Sequence, residues 1–220
     1  MSTSEIDQKA PELKVERWVQ GEGGSLVSQL GRVILIEVFQ VNCPGCFIAG
    51  LPEAIAVHRA FSGRPLTVWG LATAFEDLDK NNLENLKKLL GRGEVIGETL
   101  SSLTEAGQLL GDRLPYEIPF PVAWDRLVPT DGAVNPETME RLIQRDIPHF
   151  DTLPEKMRQM VRTQVESYLR KKPYDALTFD EYQLCGTPST ILIDKRGRLR
   201  GTLFGSGLGI EQRVAQLLEE

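Results

Sequence analysis

Cys43-Pro44-Gly45-Cys46 is the stretch of this sequence best equipped for chemistry. Two thiols at this spacing can close a disulfide, reopen it through a mixed disulfide with a partner, or supply half of a zinc site. Redox work needs a thiolate. A helix start favours one, because its unpaired N–H groups and its dipole attract negative charge. A free thiol with a pKa of about 8.5 is only a few per cent ionised at neutral pH, whereas a shift to about 7 makes roughly half of it nucleophilic. Cys43, at the helix start, is then the attacking thiol and Cys46, one turn further in, the resolving one. Pro44 suits a first helical turn, where its missing N–H costs nothing, and Gly45 leaves room for a partner's backbone. A structural zinc site would need a second pair of ligands. The chain adds only Cys185, His58 and His149, none in a compact second motif, so no metal and no cofactor are expected.

The elements that must hold this pair follow from hydrophobic spacing. Residues 33–39 are almost continuously apolar and rich in β-branched side chains, as in a central strand covered on both faces, with one acid, Glu37, inside the run. From Cys43 to Phe61 the apolar positions recur at helical intervals and stop at Ser62-Gly63, so the dithiol sits where a strand hands over to a helix. Residues 66–72 read as the next strand, 83–90 and 100–110 as helices, and 120–124 as a strand that Pro121 marks as an edge or a beginning. Residues 189–194 and 199–204 flank a Lys-Arg-Gly turn, giving a hairpin signal before a terminal helix from about Ile210. Strands alternating with helices and closing on a hairpin indicate an α/β sandwich. Its organisation reads as 1–125 for the first part of the domain, 126–180 for a helical insertion and 181–220 for its completion. The insertion is punctuated by Pro129, Pro136, Pro148, Pro154 and Pro173, with helices expected at 136–145 and 154–171. Because it ends just ahead of Pro188, it is expected to flank the dithiol face and narrow substrate choice.

Composition removes other classes. A chain of 220 residues with 41% hydrophobic residues can bury a full core, and 25 basic against 31 acidic residues give a charge of -6 with no basic stripe, which argues against nucleic acid. The first ten residues lack the basic start and apolar run of a secretory signal, and no segment has a membrane span's apolar length. The expected address is therefore the cytosol, without membrane contact. In that compartment a close cysteine pair is more often catalytic or metal-binding than structural.

Two segments carry a family resemblance. Ile36-Glu-Val-Phe-Gln-Val-Asn-Cys-Pro-Gly-Cys46 resembles the active-site strand and helix start of the thioredoxin superfamily, especially its redoxin branch of TlpA-like thiol–disulfide oxidoreductases. Tyr182-Gln-Leu-Cys-Gly-Thr-Pro-Ser-Thr-Ile-Leu-Ile-Asp194 with Lys-Arg-Gly-Arg-Leu199 resembles that family's cis-proline segment and terminal hairpin. The likeness covers roughly residues 10–125 and 180–220. It implies a thioredoxin-like three-layer sandwich with a helical insertion before the cis-proline segment, and exchange of disulfides with a protein or small-thiol substrate and a thiol reductant. It also implies that Glu37, six positions ahead of Cys43, takes the proton of Cys46 during resolution, most usefully below neutral pH. A buried carboxyl with a raised pKa suits that task; the alternative is an edge-strand or ion-paired acid. Pro188 is the implied cis-proline, packed against the dithiol, and Thr187 offers its backbone to a substrate strand; Pro44, Gly45, Thr187 and Pro188 form the expected substrate face. A plain trans-proline at a strand start is the alternative for Pro188. Two departures bear on substrate preference: Pro52 is shifted by one from the family's helix proline, and Asn42 replaces the usual tryptophan before the first cysteine.

Three other features are weaker. Cys185 is either a third redox thiol or a small half-buried hydrophobe, the second being favoured. His58 and His149 read as packing or surface histidines. Gly205-Ser-Gly-Leu-Gly209 leaves too little chain after it for a dinucleotide fold. Competing functions are a peroxiredoxin-like peroxidase, disfavoured because Gln40 stands where those proteins carry threonine or serine, a copper-binding chaperone using His149, and a binding module with vestigial thiols.

Overall fold

The computed structural model describes residues 7–220. Along the chain come β1 (Val15–Gln20), β2 (Val33–Phe39), α1 (Leu51–Ala60), β3 (Leu66–Ala72), α2 (Leu83–Arg92) and α3 (Gly97–Glu105). Strands β4 (Val122–Asp125) and β5 (Leu127–Pro129) lead into α4 (Pro136–Asp146) and α5 (Glu155–Lys171). Strand β6 (Tyr174–Ala176), the short helix α6 (Leu177–Glu181), β7 (Ser189–Ile193), β8 (Leu199–Phe204) and α7 (Ile210–Glu219) complete the order. These elements form two compact units, one of residues 127–175 and one of the remaining described chain.

The larger unit is built on a six-stranded mixed sheet in the order β1-β4-β3-β2-β7-β8. Strands β2, β3 and β4 run parallel, while β1, β7 and β8 are each antiparallel to their neighbour. All seven residues of β2 are buried, which requires cover on both faces; α1 and α7 pack on β2, and α6 on β4. The large side chains of Ile34, Leu35, Ile36 and Phe39 are fully enclosed, each worth roughly 1.5–3 kcal/mol of transfer free energy. That burial anchors β2 in the core, and the dithiol follows shortly after its end.

Helix starts follow their caps. Asn82 Oδ1 accepts the Asn85 N–H at 3.0 Å to begin α2, which ends at Gly93 with φ 70°. Asn135 caps α4 ahead of Pro136. The leucine spacing that predicts a helix over 100–110 is corrected to Gly97–Glu105, because Gly107 adopts φ 64° and terminates the run. Strand β1, whose charged residues hide its periodicity, was not expected. It pairs with β4 and so moves β4 from an edge to the interior, with Pro121 just before it. Helix α6 was not expected either. The Asp125 carboxylate starts it by accepting the Thr178 and Phe179 N–H groups at 3.0 and 3.2 Å, and burial holds that carboxyl above its usual pKa.

In the smaller unit β5 and β6 form a two-stranded ribbon, and Thr130 bonds the carbonyls of Pro173 and Lys172 through its N–H and hydroxyl. Helices α4 and α5 pack together, and Arg162 lies over the buried Phe150 ring at 5.1 Å. No helix among the described residues is long and apolar enough to cross a membrane.

Candidate active site

The chain leaves β2 at Phe39, turns through Val41 and Asn42, and reaches Cys43 just before the helical turns begin. Cys43 and Cys46 are joined as a disulfide with their Cα atoms 5.4 Å apart. Their surroundings differ. Cys43 is half-buried, whereas Cys46 is fully enclosed. The Cys46 N–H points at the Cys43 sulfur, 3.3 Å away, as a donor that would favour a thiolate there.

The segment from Cys46 to Gly50 is a wide π turn that precedes α1: the Leu51 N–H reaches back five residues to the Cys46 carbonyl. Pro52 supplies the physical reason. With no N–H to give, it cannot bond the Ile48 carbonyl in α-helical register, and the turn widens around it. The shifted proline therefore keeps a consequence for the dithiol helix.

Glu37 projects from the centre of β2 between Gly70 of β3 and Thr190 of β7. It is buried, and burial pushes its carboxyl up to about 8, against the pull of a 2.9 Å hydrogen bond from the Thr190 hydroxyl and with a further push from Glu53. Glu53 is in turn held by the Gly207 N–H at 2.8 Å. The other Glu37 oxygen, Oε1, is buried without a hydrogen-bond partner. It lies against the backbone of Gly50, where an added Cβ would overlap both that oxygen and the Pro188 ring, so only glycine lets the turn come this close. The edge-strand and ion-pair alternatives for Glu37 do not apply, since β2 is central and its hydrogen-bond partner is a hydroxyl.

The Thr187–Pro188 peptide bond is cis. The Thr187 carbonyl oxygen stands 3.6 Å from the Cys43 sulfur, and Pro188 is buried beside Gly45 and Gly50. Cys43, Cys46, Pro44, Gly45, Thr187, Pro188 and Glu37 are thus gathered in one place. Cys185 is exposed, which corrects the half-buried expectation. His58 packs edge-on to Phe120, and His149 is exposed. Among the described residues no three His, Cys, Asp or Glu side chains gather as a metal site would need.

Sequence reasoning passed over the polar clamp behind Cys43. The Asn42 N–H donates to Asn81 Oδ1 at 2.7 Å, its side-chain amide donates to Asp77, and its Oδ1 accepts the Glu98 N–H at 2.7 Å. The Thr99 hydroxyl bonds the Val41 carbonyl at 3.0 Å. Gln40 Oε1 accepts from the Phe75 N–H and from Asn81. Asn42 thereby serves as the missing cap of α3, and Gly97, at φ 55°, passes too close to its Oδ1 for any side chain. The signal was two polar residues, Gln40 and Asn42, directly after an apolar strand. Its partners, far along the chain, carried no pattern.

Tyr116 was also missed. Its hydroxyl donates to the Phe47 carbonyl at 2.9 Å, and its ring lines a cleft of about 280 Å³ with Phe47, Ile48, Pro52, Leu103 and Leu114.

No protein-family model matches the chain, and no curated protein does. Solved structures do. A thioredoxin-like superfamily protein is 31% identical over 96% of this chain and 97% of its own, with a TM-score of 0.57. A thiol-disulfide isomerase from Corynebacterium glutamicum is 27% identical over 100% and 99%, with a TM-score of 0.58. A thioredoxin-like protein solved in its oxidised form shares the fold at 18% identity and a TM-score of 0.51, over 97% and 96%.

Proposed function

The chain belongs to the thioredoxin-like superfamily, and on that premise we propose that it exchanges disulfides with a protein or small-thiol partner through Cys43 and Cys46. The observation that carries this reading is the asymmetry of the pair: one sulfur half-exposed at a helix start, the other enclosed at the head of a turn whose far end, Gly50, lies against the buried Glu37. In the reduced chain the Cys43 thiolate attacks a partner disulfide. One sulfur–sulfur bond forms, the partner's breaks, and its first thiolate departs. Cys46 then attacks the mixed disulfide, closing the Cys43–Cys46 bond and freeing the second partner thiol. The partner gains two electrons and the dithiol loses two. Glu37 accepts the Cys46 proton and passes it towards the leaving thiolate. Thr187 and Pro188, beside Cys43, meet the substrate together with Pro44 and Gly45.

The test is to trap the intermediate. Cys46→Ser keeps the attacking thiol and loses the resolving one, so covalent adducts with disulfide partners should accumulate and dissolve on adding a strong reductant. Cys43→Ser should give none. Equal trapping by both variants, or alkylation of Cys46 before Cys43 at neutral pH, overturns the assignment. The reduction potential of the pair, measured against glutathione, decides whether the chain donates or accepts electrons.

A further inference from the structure

We infer that Tyr116 is a positioning residue for the dithiol, holding the wide turn that carries Cys46 through the carbonyl that Pro52 leaves without a backbone donor. The inference rests on the thiol–disulfide reading above and adds a residue to it. In the turn's register the Leu51 N–H bonds the Cys46 carbonyl, so the next carbonyl, that of Phe47, faces residue 52. That residue is proline and donates nothing. Phe47 is buried, where an unmet carbonyl is costly, and the Tyr116 hydroxyl meets it at 2.9 Å.

Tyr116 is itself held on both sides in the loop between α3 and β4. The Leu114 N–H bonds the Gly93 carbonyl at 2.9 Å, and the Gln20 side-chain amide bonds the carbonyls of Ile118 and Phe120 at 2.7 and 2.9 Å. The hydroxyl is therefore delivered by a fixed loop. What it fixes matters for the chemistry: the turn runs from Cys46 to Gly50, with the resolving sulfur at one end and the backbone that touches Glu37 Oε1 and Pro188 at the other. Loosening the Phe47 carbonyl should loosen the distance over which Cys46 attacks and gives up its proton, while Cys43, at the preceding strand end, keeps its clamp.

Tyr116→Phe in the full chain keeps the ring and removes the hydroxyl. Capture of glutathione disulfide by Cys43 should stay within about twofold of wild type. Release of glutathione from the mixed disulfide should slow about threefold to tenfold, and the exchange equilibrium with glutathione should shift by about threefold, the scale of one lost hydrogen bond. Pro52→Ala restores an N–H at position 52. In that background Tyr116→Phe should change release by less than about twofold. Unchanged release and equilibrium in Tyr116→Phe, or an equal effect with Ala at position 52, overturns the inference. If Tyr116→Phe alone does not fold, folding restored by Pro52→Ala supports the clamp, and failure of both variants overturns it. A wild-type chain that exchanges with no disulfide, glutathione included, defeats the functional reading instead; Tyr116 is then tested by hydrogen exchange at the Leu51 amide of the turn, which should quicken in Tyr116→Phe, and an unchanged rate overturns the inference.

Discussion

At the scale of single residues Glu37 is the informative group, because one environment sets both its chemistry and its cost. Enclosure in β2 favours the neutral acid, with the carboxyl raised to about 8. A base is useful only when ionised, so its help to Cys46 should grow as pH approaches 8. This corrects the expectation of greatest use below neutral pH: Glu37→Gln should slow resolution most between about pH 7 and 9, measured by stopped-flow release from the mixed disulfide. The same shift costs stability. The raised carboxyl favours folding fully below the unfolded pKa near 4.5, and this contribution is lost as pH rises through about 8, a difference on the order of 3–5 kcal/mol. Urea unfolding of the wild type should therefore show falling stability from pH 5 to pH 9, and Glu37→Gln should flatten the curve. An equally steep decline in the variant would place the ionising group elsewhere.

At the scale of elements, the turn between β2 and the dithiol is tied to an element far along the chain. Asn42 supplies α3 with the cap its own sequence lacks, and Thr99 from the first turn of α3 holds the Val41 carbonyl. Asn42→Ala leaves the Glu98 N–H and the Asp77 carboxylate without that partner, removing two hydrogen bonds that join a buried side chain to exposed residues. The expected loss is about 1–3 kcal/mol in denaturant unfolding, together with faster hydrogen exchange at the Glu98 amide. A loss of stability without faster exchange at Glu98 would show that α3 keeps its start by other means. The position at which the family resemblance implied tryptophan is thus occupied by a residue with a structural task, and Gly97 is shaped around it.

At the scale of the whole molecule, every residue of the dithiol site lies in the larger unit, while 127–175 forms a unit of its own. The ends of the smaller unit are held together by the β5–β6 ribbon and the bonds of Thr130 to Lys172 and Pro173, so a short hairpin can span the gap left by removing 131–171. The shortened chain should fold and exchange with glutathione disulfide at a rate close to that of the full protein. Its relative rates towards different protein disulfides should change, in keeping with a role for the insertion in substrate choice. Unchanged relative rates across protein partners would remove that role.

The parts of this protein legible in its residues are those whose physics is local. Residues 33–39 and 66–72 are read correctly as strands because uninterrupted apolar runs leave few alternatives, and the terminal hairpin and helix follow from turn chemistry and spacing. The dithiol at a strand-to-helix junction is legible for the same reason. Tertiary structure alone decided what depends on partners remote in sequence. Strand β1 exists by pairing with β4, α3 begins where Asn42 caps it, and the Phe47 carbonyl is met by a tyrosine 69 residues away. The raised carboxyl of Glu37 belongs to this second group as well, since desolvation is set by what closes over β2 from both sides and not by the residues next to it in the chain.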